Sequence, residues 1–146
     1  MTAEEYAKNI ENCVRELEEK VPDFVLAFGV SLSSQIRERI QLRGEGKDGA
    51  FKKYTVKYDA YKTKKGKNQG FRDLTFSGDL MKEFGVYKNN KNYEIGFKKE
   101  LSKDIAEGNS KYAGVDNIIE AKDDEIDIEI EQFEISIMNL LKKYLA

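Results

Sequence analysis

A chain of 146 residues has room for one domain spanning 1–146, and 40% hydrophobic residues suffice for a core. At 36%, the charged fraction is well above the roughly 25% of an average globular protein, so the excess must lie on surfaces or contacts. No histidine, one cysteine and a net charge of -2 exclude imidazole catalysis, Ser-His-Asp and Cys-His pairs, an internal disulfide, and the usual zinc and haem ligation.

The chain opens on MTAEEYAKNIENCVRELEEK, which lacks the basic start and apolar stretch of a signal peptide. No run approaches the ~18 apolar residues of a membrane span, so a soluble protein made in a reducing interior, without membrane contact, is expected. Tyr6, Ile10, Cys13, Val14 and Leu17 recur at helical spacing, which predicts an amphipathic N-terminal helix over 1–21, with Cys13 as a half-buried apolar residue. Pro22 is expected to end this helix and open a second, whose stripe of Val25, Phe28, Leu32, Ile36 and Ile40 stops at Gly44.

Residues 44–72 read as a long basic loop or arm, poor in aliphatic residues. Nine basic residues stand against two acidic ones between Lys47 and Arg72. Phe51, Tyr54, Tyr58 and Tyr61 are spaced to share one side of a short helix. Long loops inside compact domains are usually functional or disordered. With so little greasy surface, this one is expected to need a partner to hold it.

After the arm, Leu74 to Phe84 reads as an extended stretch, a turn and one or two helical turns, with Ser77 or Asp79 as cap. Gly85–Lys88 and Asn92–Lys98 read as a β-hairpin about the turn NNKN. A helical turn is expected within 101–108, and a further strand within 112–120 through Val115, Ile118 and Ile119. From Asp123 onward, Ile126, Ile130, Phe133, Ile137, Leu141 and Tyr144 make a helical stripe, with acids at its start and lysines at its end. The expected fold is α+β: a long N-terminal helical region and a C-terminal helix packed on a small antiparallel sheet.

Charge is segregated along the chain. Asp116 to Glu134 carries nine acids against one lysine, and the first 23 residues carry seven acids against three bases. Such polarity suits head-to-tail association, in which a basic face of one copy meets an acidic face of the next. Lys52, Lys53, Lys62, Lys64 and Lys65, with Phe51, Tyr54, Tyr58 and Tyr61, are the candidate contacts on one side, and Asp124, Glu125 and Asp127 those on the other. GEGKDG lacks the GK[ST] ending of a phosphate loop, and the carboxylates at 123–127 read as a solvated helix start, so no metal or cofactor site is expected. The same lysines and rings suit phosphates and stacked bases, which leaves a nucleic-acid-binding module over 47–72 as the rival reading.

Taken in order, SLSSQIRERIQLRGEGKDGAFKKY, YDAYKTKKGK, RDLTFSGDLMKEFGV and NYEIGF, followed by the C-terminal helix, form a set. This set resembles the tail-completion or virion-morphogenesis proteins of tailed bacteriophages, the small head-tail joining proteins of the neck. Leu74, Ser77, Gly78, Leu80 and Val86 carry the part most typical of that family. Prolines frequent in the family's loop are missing here, and 110–124 matches loosely. The resemblance implies a non-enzymatic virion protein, made in the host bacterial cytoplasm, that forms an oligomeric ring. Its partners would be copies of itself and other neck, portal or tail proteins, with passing DNA contact and no small-molecule substrate. The Leu74–Leu80 motif is expected to act as a turn that returns the arm to the core.

Overall fold

The computed structural model describes residues 1–67, 70–74 and 79–146. Helix α1 runs from Ala3 to Glu38 without a break. It starts on a capping box in which the Thr2 hydroxyl accepts from the Glu5 N–H and the Glu5 carboxylate accepts from the Thr2 N–H. Two helices separated at Pro22 were expected, and this is corrected. Proline lacks the N–H of one helical bond and crowds the preceding turn, but Pro22 is exposed and the apolar stripe keeps phase across it, through Leu17, Val21, Phe24 and Phe28. Both halves can therefore pack on one partner helix.

α1 passes into a π-helical turn at Arg39–Arg43, closed by Gly44 in the left-handed region at φ 61. The GEGKDG segment that follows is a tight hairpin of β1 (Glu45–Gly46) and β2 (Gly49–Ala50). Helix α2 (Val56–Lys64) begins at Thr55, whose hydroxyl accepts from the Tyr58 N–H. Helix α3 (Asp79–Glu83) leads into the second hairpin, the one expected about NNKN, made of β3 (Gly85–Asn89) and β4 (Asn92–Gly96) with Val86 opposite Ile95.

Helix α4 covers Glu100–Ala113, longer than the single turn expected. The strand expected within 112–120 is not formed. Ser110 Oγ takes the Ile118 N–H at 2.9 Å and Asn117 Oδ1 takes the Ile119 N–H at 3.1 Å, so this stretch turns back and inserts Ile118 into the core. Helix α5 (Asp123–Leu145) follows, as its stripe predicted.

The fold is α+β, with α1 and α5 packed antiparallel and the β3–β4 hairpin set against the C-terminal half of α1. The core sits at that end and gathers Leu32, Ile36, Ile40, Phe51, Leu74, Met81, Phe84, Phe97 and Ile118. Gly29 lets the hairpin approach: a Cβ there would lie 3.2 Å from both γ carbons of Val86. Ser77 and Gly78, and with them the capping of α3, lie outside the described residues.

Candidate interaction surfaces

The basic arm is anchored to the body, contrary to the expectation that it could not hold itself. Three of its described side chains are buried, and the burial is partly polar. Phe51 is in the core beneath Gly46, and the Lys52 backbone donates to the Ala113 carbonyl. Lys62 is fully buried, its Nζ 2.7 Å from an Asp73 carboxylate oxygen and 4.6 Å from the Tyr54 ring centroid. Arg72 lies over the same ring at 4.4 Å, and its Nε donates to the Lys52 carbonyl at 2.8 Å.

Two cations thus pack on the Tyr54 ring at the arm's root, which replaces the aliphatic anchor that the sequence lacks. Burial, aided by the Asp73 charge, pushes its phenol up to about 12. Tyr58 is shifted upward by burial as well, and burial lowers Arg72.

Several expected contact residues are therefore reassigned. Phe51 and Lys62 face their own body and cannot reach a partner. Tyr54 is half-buried at the root. Lys52, Lys53, Tyr58, Tyr61, Lys64 and Lys65 are exposed, and Tyr54, Tyr58 and Tyr61 do form one aromatic row, with centroids 4.8 Å and 6.4 Å apart. Phe51 is not part of that row, because it turns inward into the core.

On the acidic side, Asp124 and Asp127 are exposed at the start of α5, while Glu125 is buried. Its carboxylate accepts from Arg39 Nε at 2.7 Å and Nη2 at 3.1 Å, so it is an internal ion-pair partner and not an intermolecular contact. The guanidinium also donates to the carbonyls of Glu45 and Glu120, which ties α1, the first hairpin and the start of α5 together. Burial tends to raise the Glu125 carboxyl, but the hydrogen bonds from Arg39 and the Lys122 backbone, with their charges, hold it below the usual range. Of the family-motif positions, Leu74 is buried at a left-handed φ of 56, while Leu80 and Val86 are half-buried.

Two apolar surfaces escaped the sequence reading. The first is the ribbon made by α1 and α5. Phe24 and Phe133 meet edge to face within it, the Gln35 amide donates to Glu129, and the Tyr144 hydroxyl and the Lys143 ammonium both reach Glu16. Its outer faces still carry Val14, Val25, Val30, Ile128, Ile135 and Met138, each between 38% and 51% exposed. α1 and α5 cover each other on one face, and the β3–β4 hairpin covers part of α1, so the apolar residues on the remaining faces stay in solvent until something covers them.

The second is a groove of about 910 Å³ between the arm, α3 and α4, lined by Tyr58, Leu74, Leu80, Leu101, Ile105 and Tyr112. α4 turns its small residues Ser102, Ala106, Ser110 and Ala113 inward and its largest apolar side chains outward.

Among the described residues no group of three or more His, Cys, Asp and Glu side chains is placed to hold a metal ion. None of their helices is long and apolar enough to cross a membrane. Comparisons with protein-family models, curated proteins and solved structures gave no match.

Proposed function

We propose that this chain is a non-enzymatic structural protein of a tailed-phage virion neck, a head-tail connector or tail-completion protein that assembles with copies of itself into a ring. The observation that carries the self-association is the α1–α5 ribbon, whose outward apolar residues have only one helix layer to pack against. Segregated charge supports head-to-tail contact, and the four ordered sequence pieces support the placement in a neck.

Light scattering on the purified chain, alone and with Ile10→Lys and Val14→Lys on the exposed face of α1, tests the self-association. The wild type is expected to form one defined oligomer that the paired substitution dissociates into folded monomers. A wild type that stays monomeric at its highest soluble concentration contradicts it. Peptide mapping of purified virions that encode the chain tests the placement, and absence from the particle would refute it.

The second reading, a nucleic-acid-binding module, is favoured by the exposed Lys52, Lys53, Lys57, Lys64 and Lys65 beside Tyr58 and Tyr61. It predicts salt-sensitive retention of DNA or RNA on a filter, lost when these lysines become Gln. Retention that is absent or indifferent to salt eliminates it.

A further inference from the structure

We propose that the N-terminal end of α1 in one copy docks, through Tyr6, Ile10 and Val14, into the groove bounded by Leu101, Ile105 and Tyr112 of the next copy. This rests on the self-association reading and specifies its contact. The first observation is an overhang. α5 ends opposite Glu16, where Lys143 and Tyr144 meet it, so the stretch of α1 before Asn12 projects past its only long neighbour. The overhang is a well-started helix of about 15 Å with the capping box at its tip. Tyr6 and Ile10 on the overhang, and Val14 just behind it, lie on one side at steps of four, each 40% to 48% exposed.

The second observation is the receiving surface. Leu101 and Tyr112 are 70% and 72% exposed, large fractions for apolar side chains on the most open face of a well-packed helix. From Leu101 to Tyr112 is about 16 Å along α4, which matches the overhang in length. An amphipathic helix laid into such a groove is a recurring mode of recognition.

Charge selects the occupant. Glu4, Glu5 and Glu11 against Lys8 make the overhang acidic, whereas Arg72, Lys82 and Lys99 against Glu83 make the groove lining basic. A copy cannot fill its own groove. The hairpin that joins α3 to α4 packs at Gly29, about 28 Å along α1 from Ile10. The contact is therefore between different surfaces of different copies, the arrangement that closes into rings or extends into filaments.

Complementation between two full-length variants tests it by sedimentation. One carries Tyr6→Ser and Ile10→Ser, leaving its groove intact; the other carries Leu101→Ser and Ile105→Ser, leaving its overhang intact. Circular dichroism checks that both remain folded, and Val14→Ser with Tyr112→Ser forms a replacement pair if either does not. Each variant alone is expected to be monomeric, and an equimolar mixture to form a one-to-one dimer that grows no further, since only one complete contact is left. A mixture that stays monomeric, or variants that assemble like the wild type, overturns this docking. Variants assembling like the wild type would leave self-association standing, whereas a monomeric wild type would remove both.

Discussion

Arg39 and Glu125, 86 residues apart in sequence, meet through two hydrogen bonds in a junction where the guanidinium is fully buried. The pair fixes the antiparallel setting of α5 on α1, because Glu125 is in the first turn of α5 and Arg39 opens the π-helical turn that ends α1. Removing one member leaves the other charge buried and uncompensated. Arg39→Met or Glu125→Gln should each cost about 3–5 kcal/mol in urea unfolding, and the double variant less than their sum. Additive losses would show that the two side chains do not stabilise each other.

The same pair sets an acid limit. Glu125 is held below its unfolded value of about 4.5, so its contribution is complete above that pH and is lost as pH falls through the lower, folded value. Stability of the wild type should fall below about pH 4.5, and Glu125→Gln should flatten that part of the curve. Parallel curves for the two proteins would refute the assignment.

Gly44 closes the π-helical turn at φ 61, and a Cβ there would lie 2.5 Å from a Phe71 ring carbon and 2.9 Å from the Arg72 carbonyl oxygen. Gly44→Ala combines a left-handed backbone with a collision against main chain, so a loss of about 1–3 kcal/mol is expected. Thermal unfolding would measure it. A change near zero would mean that the arm does not return over the helix end as described.

Pro22 is the reverse case. It is exposed in the middle of α1 and removes a helical hydrogen bond without packing in return. Pro22→Ala should raise stability by about 1–3 kcal/mol. Destabilisation would show that the stiffness proline gives the backbone at this point serves the packing of α5.

Tyr54 reports on the arm. Its phenol is expected to titrate near 12 by ultraviolet absorbance, two units above an ordinary tyrosine. Because the folded value is the higher one, the contribution to stability is complete below about pH 10 and fades as pH rises through 12. Lys62→Met should free the ring by releasing the arm's root, and a titration of Tyr54 unchanged by that substitution would contradict the anchoring.

Much of the architecture could be read from periodicity. The stripe from Ile126 to Tyr144 settles α5, and the alternation about NNKN settles the second hairpin. Pro22 reads locally as a helix break, but packing on α5 keeps α1 in phase across it. The full length of α4 is hidden in the sequence, since its inward residues Ser102, Ala106 and Ser110 carry no apolar signal, and its outward Leu101, Ile105 and Tyr112 look like a buried face. The burial of Lys62 against Asp73 could not be read at all. A lysine in a basic run is expected in water, and only the fold brings carboxylate and ring to it.

Sedimentation velocity of the full-length chain over a range of concentrations tests the central claim most directly. Assembly through the faces of the ribbon and groove predicts a monomer that gives way to one larger species of fixed size, weakened as salt is raised. A single monomeric boundary at every concentration and salt level would contradict the account.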